Sequence, residues 1–170
     1  DNLDSIKTTM ITAATNGQDP DAVVQKIHQA EKDVDASTSN FFTTANLDTG
    51  RAALYPLGMT GVPLARERNA GKGVVIGMID TPVDLDYGDT LQSPLIERIE
   101  LVPAGDAQNR LHGTEVAGIM VSKNPRIGIA PDAKLVAISA FSTNPSNPGE
   151  RRSNSGLVAR ALELAMKQGV

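Results

Sequence analysis

At 170 residues, 40% of them apolar, with a net charge of −4, the chain is long enough for one core-bearing domain and lacks the basic face that nucleic acid requires. It contains no cysteine, which excludes disulfides, thiolate catalysis and Cys-ligated zinc. No apolar run approaches the roughly 20 residues needed to span a bilayer, so no membrane partner is expected, and composition leaves the compartment open.

In chain order, Leu3, Ile6, Met10 and Ile11 fall at helical spacing, and Asn16-Gly17 ends that pattern. Asp19-Pro20 then reads as an N-cap followed by proline at the first helical position, with Val23, Val24, Ile27, Ala30 and Val34 as the stripe. Residues 35–50 are rich in Ser, Thr, Asn and Asp and read as a linker. This divides the chain into a helical N-terminal segment with its linker, 1–50, and a second part, 51–170.

From residue 73 the pattern changes. The run Gly73–Ile79 predicts a buried strand, Glu97–Val102 a second and Lys134–Ala140 a third. A helix is predicted over roughly 113–122, from Val116, Ile119 and Met120. Residues 142–156 read as a polar loop. Leu157, Val158, Ala161, Leu162, Ala165 and Met166 make one apolar helical face that ends at Gly169. The aromatic residues are few (Phe41, Phe42, Tyr55, Tyr87 and Phe141), so the core rests on Val, Ile, Leu and Ala. Alternating strands and helices predict an α/β fold with a mainly parallel sheet. Functional groups in such sheets gather beyond the carboxyl ends of the strands, which is where Asp80 stands.

Taken alone, Asp80 has a plain reading as a turn or cap residue, and His112 as a surface or capping residue. Their flanks say more. Val74–Asp84 (VVIGMIDTPVD) resembles the aspartate motif of subtilisin-like serine proteases, the subtilases, in which an apolar strand runs into Asp-Thr-Gly. His112–Ile119 (HGTEVAGI) resembles their histidine motif, and Gly128–Leu135 (GIAPDAKL) the stretch leading into the next strand. The three motifs occur in the family's order across about residues 50–170. The resemblance implies that 51–170 is the N-terminal part of a subtilase catalytic domain, with helices on both faces of the sheet and its C-terminal side truncated. It also implies a serine endopeptidase using an Asp-His-Ser triad, acting on a peptide or protein substrate, and by family alone a secreted or periplasmic setting. His112 would carry the proton from serine to leaving amine, and Asp80 would accept a hydrogen bond from the other ring nitrogen. Gly113 would let the helix pack closely, and Thr114 would lend hydrogen-bonding support.

The sequence departs from the family pattern in several places. Pro82 stands where the family has glycine, and Glu115 replaces a second histidine that is not a triad member. Val121–Ile129 is shorter than the calcium loop of secreted subtilisins and offers no carboxylate. No cofactor is therefore expected; calcium stays open although its usual loop is shortened, and Asp84 and Asp86 read as solvated turn carboxylates, with cation ligation as the alternative. The family's oxyanion-hole asparagine and Gly-Thr-Ser nucleophile come later than Val170. Ser139, Ser142, Ser146, Ser153 and Ser155 lie in no such context and read as loop and cap residues. The 170 residues alone are thus expected to be inactive, with a further C-terminal chain or segment completing the fold. By position, Arg151–Ser155 matches one edge of the family's peptide cleft, making Arg152, Ser153 and Asn154 substrate-binding candidates, against a plain reading as a flexible surface loop open to nicking.

Three rival chemistries fail on residues. A phosphoaspartate enzyme needs a second aspartate where Pro82 stands. A dinucleotide fold needs its glycine turn after the first strand, whereas Gly71-Lys-Gly73 precedes it. Zinc on His112 and Glu115 lacks a third ligand, since His28 belongs to another helix. The remaining alternative is a non-catalytic subtilase-like fragment or pseudoprotease that binds peptides or proteins.

Overall fold

The apolar runs beyond residue 73 become strands because their side chains alternate between two different helices. The computed structural model describes residues 2–6, 8–39, 41–43, 60–87, 91, 95–103, 105, 107–125, 127–144 and 146–170. In chain order these form β1 (Asn2–Leu3), a 3-10 turn (Asp4–Ile6), β2 (Thr8–Thr9), α1 (Pro20–Ala30), β3 (Phe41–Thr43) and α2 (Val62–Arg68). There follow β4 (Val75–Asp80), β5 (Ile96–Glu100), α3 (Ala107–Val121), β6 (Lys134–Ser139), β7 (Ser142–Asn144), β8 (Asn147–Asn154) and α4 (Ser155–Lys167).

β4, β6 and β5 make a parallel three-stranded sheet in that order, with β6 central. On β6, Leu135 and Ala137 face one way and pack with Met78, Ala117 and Val121 of β4 and α3. Val136 and Ile138 face the other way, onto Ala161 and Ala165 of α4. Helices thus cover both faces of an α/β sheet, and the central strand is apolar from Leu135 to Ile138, where neither face meets water. The three strands lie where the sequence placed them, to within two residues at any end.

The helices correct the expectation in two ways. α3 begins at Ala107, six residues earlier than the periodicity indicated, so His112 lies inside the helix rather than at its start. Residues 107–111 hold helical residue types but only Leu111 is apolar and long, and their polarity reads as loop. α4 forms as predicted, capped by the Asn154 side chain, which accepts from Leu157 N at 3.0 Å. Its buried side is rotated: Leu164 packs into the core with Leu157, Ala161 and Ala165, while Leu162 and Met166 are 52% and 48% exposed. Gly169, at φ 81°, closes the helix in the left-handed conformation, and Val170 N returns to the Ala165 carbonyl at 3.2 Å.

The stretch read as a polar loop is a hairpin of β7 and β8. Its register jumps between Thr143 and Asn144, opposite a part of β8 that contains Pro148. Proline has no N–H for the ladder, so an irregularity falls there. Residues 2–6 and 8–9 are not the helix that spacing suggested: β1 and β2 pair antiparallel, and a 3-10 turn follows β1. So short a segment has little helical stability of its own, and its tertiary contacts decide. Leu3 is buried, and the Ser5 amide donates to both carboxylate oxygens of Glu163 on α4, at 3.0 and 3.1 Å. α1 starts as predicted, with the Asp19 carboxylate accepting from Asp21 N at 3.1 Å, but it ends at Ala30 on an extended Glu31, so Val34 of the expected stripe lies beyond the helix. In the stretch read as linker, Phe41–Thr43 is a strand, while residues 44–50 lie outside the described residues.

Candidate active site

A strand that ends in an aspartate must satisfy both its last carbonyl and its carboxylate, and Asp80 does both locally. Its backbone carbonyl accepts from Ala140 N (2.9 Å) and Phe141 N (3.2 Å), tying the exit of β4 to the exit of β6. Its carboxylate accepts from Thr81 N at 2.6 Å through Oδ1. The other oxygen, Oδ2, lies 3.3 Å from Nε2 of His112 on α3. Both side chains are mostly enclosed, at 13% and 16% exposed. A carboxylate against one ring nitrogen fixes the proton there and leaves a lone pair on the other. In the triad template the carboxylate engages Nδ1; here it engages Nε2, so Nδ1 is the nitrogen turned away from Asp80.

Two threonines join the turn after Asp80 to the helix around His112. The buried Thr81 hydroxyl accepts from Gly113 N at 2.9 Å. The Thr114 hydroxyl accepts from Asp84 N at 2.9 Å and donates to the Arg110 carbonyl at 2.6 Å. Gly113 is required by this proximity, since a Cβ there would run into the Thr81 carbonyl oxygen. Thr114 therefore has a partner across the turn, whereas Thr81, quoted in the motif without a role, is the residue sequence reasoning missed. Its signal was its place directly after the aspartate.

Asp84 accepts from Asp86 N at 3.1 Å and faces Arg110 at 3.7 Å. Among the described residues there is no group of three or more His, Asp or Glu able to hold a metal ion. His28 is remote in role, its Nε2 accepting from Ala36 N at 3.1 Å, and Glu115 is exposed.

Arg152, Ser153 and Asn154 form the C-terminal end of β8, in a strand rather than a flexible loop. β8 is central in its sheet, with β7 on one side and β3 on the other. Phe41, Phe42 and Thr43 pair with Asn154, Ser153 and Arg152, so an extended segment of the same chain already occupies the outer edge. This sheet is attached to the Asp80–His112 pair, because β7 begins directly after Phe141, whose N–H meets the Asp80 carbonyl. Thr143 also donates to Asn109 of α3 at 2.8 Å. Glu150 anchors the strand's polar side, its carboxyl held below the usual carboxylate range by hydrogen bonds from Arg152 and then Asn144, at 3.0 and 2.6 Å. Among the serines, Ser139 and Ser153 are buried in strands, and Ser155 opens α4.

Comparison with known proteins matches residues 71–170 to the subtilase family. Proteins named subtilisin-like protease 1 are similar over about half of the chain. That of Arthroderma gypseum is 36% identical over 94 residues, covering 55% of this chain and 18% of that protein. Those of Trichophyton equinum and Arthroderma benhamiae are 32% identical over 93 residues, covering 17% and 22% of their lengths. The chain thus spans about a fifth of the length of the curated relatives it matches.

Proposed function

The chain belongs to the subtilase family of serine proteases, and from that premise we propose that it supplies the orienting acid and the general base of a serine endopeptidase whose nucleophile lies outside these 170 residues. One observation carries the reading: the Asp80 carboxylate and the His112 imidazole meet at 3.3 Å beyond the carboxyl end of a parallel sheet. A serine hydroxyl that attacks a peptide carbonyl must lose its proton as the C–O bond forms. The lone pair on the His112 nitrogen turned away from Asp80 takes that proton, and Asp80 stabilises the resulting imidazolium. The same proton passes to the departing amine as the C–N bond breaks, leaving an acyl ester that water hydrolyses by the reverse relay. An extended peptide would pair with Arg152, Ser153 and Asn154 of β8 in place of β3.

The test uses the native protein that carries this chain and a fluorophosphonate probe, which labels only an activated serine. Labelling is expected, and His112→Ala is expected to reduce it by on the order of 10⁴-fold or more. Labelling that ignores the substitution would sink the assignment. A second reading, a non-catalytic subtilase-like protein that binds peptides, is favoured by one observation: β8 already holds an extended segment without any nucleophile. Peptide binding with no labelling would decide for it.

A further inference from the structure

Asp80 and His112 stand on separate elements, and 3.3 Å between their side chains requires something to set the distance between a strand end and a helix. Resting on the pairing proposed above, we propose that Thr81 is the positioning residue that holds the carboxylate and the imidazole in register.

The connection is a closed ring. Asp80 is bonded to Thr81, whose hydroxyl accepts from Gly113 N at 2.9 Å. Gly113 is bonded to His112, whose Nε2 returns to the Asp80 carboxylate. Two peptide links, one hydrogen bond and one imidazole–carboxylate contact thus close a circuit that spans 32 residues of sequence. Thr81 acts on both halves, because its own N–H also holds the second carboxylate oxygen at 2.6 Å and so limits the carboxylate's rotation. The hydroxyl is 1% exposed as part of its residue, so water does not compete for the Gly113 amide. The second bracket, Thr114 to Asp84 N, ties the far end of the turn and touches neither Asp80 nor His112 through an adjacent residue. Thr81 is next in sequence to one member of the pair, and its side chain is hydrogen-bonded to the residue next to the other.

The chain has two histidines, which makes the test direct on the protein as it stands. His28, engaged with Ala36 N, serves as the internal reference. The readout is the proton NMR signal of the His112 ring N–H that faces Asp80 and its exchange with water. Thr81→Val keeps the shape but removes the acceptor, and exchange of that proton is expected to become about tenfold faster or more, as for loss of one buried hydrogen bond. Thr81→Ser, which keeps the hydroxyl, is expected to retain the wild-type signal, and His28 to be unchanged throughout. If Thr81→Val leaves the exchange rate as in wild type, or if Thr81→Ser loses the signal as Thr81→Val does, the proposal is overturned. Should Thr81→Val not fold, Thr81→Ala against Thr81→Ser is read in the same way. Asp80→Asn separates this from the underlying pairing: an unaltered His112 signal in that variant refutes the pair itself, whatever Thr81 does.

Discussion

At the scale of single residues, the site depends on how closely a helix approaches a turn. Gly113 lies against Thr81 so tightly that any side chain would meet its carbonyl oxygen, and Pro82 O as well. The contact is with backbone, which cannot swing aside as a side chain can. Gly113→Ala is therefore expected to push α3 away from the turn, at a cost of about 1–3 kcal/mol typical of an overpacked site. A thermal melt of the variant should show the loss, and slowed fluorophosphonate labelling of the native protein should accompany it. An unchanged melting temperature would mean the turn can yield. The structure sets Asp80 and His112 3.3 Å apart, and that they should meet was legible through the resemblance of their flanks to the subtilase aspartate and histidine motifs. Which ring nitrogen meets the carboxylate was not, since that depends on the position of α3, and α3 starts in a stretch too polar to announce itself.

At the scale of elements, α4 shows where pattern stops informing. Its leucines, valine, alanines and methionine permit more than one apolar stripe, and the sheet selected the one that includes Leu164 over the one with Leu162 and Met166. The same helix holds Glu163, which the structure leaves only 2% exposed. β1, β2, β3 and the β7–β8 hairpin were equally hidden: their residues are mostly polar or too few to show a period, and β3 pairs with a strand more than a hundred residues away. The Glu163 clasp has a pH consequence. Burial pushes its carboxyl up, but the Ser5 amide, Lys167 and the Ser5 hydroxyl outweigh that and hold it below its ordinary value of 4.5. A carboxyl lowered in the folded state stabilises above its unfolded value and loses that contribution as pH falls through the folded one. Lys167, raised by Glu163 and then Asp4, contributes below its ordinary 10.5 and loses that contribution as pH rises through its folded value. The clasp is thus expected to hold across neutral pH and to open in acid. Measured as the Ser5 amide protection factor, it should fall with a midpoint below pH 4.5, whereas Glu163→Gln should show weak protection at pH 7 and no acid step. Protection indifferent to both would dismiss the clasp.

At the scale of the whole molecule, described residues of the first fifty meet β8 and α4 of the subtilase-like part. Asp4 and Ser5 lie at the C-terminal half of α4, through Lys167 and Glu163. A Cβ on Gly156, at its N-terminal end, would touch Met10 and Thr12. Phe41–Thr43 completes the run on Arg152, Ser153 and Asn154. The edge on which an incoming peptide would add as a strand is therefore taken, and taken by a tethered competitor. A tether of this kind gives the competitor an effective concentration in about the millimolar range, which a free peptide must exceed before it displaces β3. Weakening β3 should consequently open the edge without altering it. Phe42→Pro does this, because proline withdraws an N–H from the ladder and confines its predecessor. A synthetic peptide repeating residues 38–46 is the natural ligand to add, as it carries the same backbone pairing in trans. Its affinity for the Phe42→Pro chain is expected to exceed that for the wild-type chain by about tenfold or more, measured by fluorescence anisotropy, with the excess reflecting the lost tether. Equal affinities would show that β3 does not guard β8, and that a peptide substrate must be sought along a different edge.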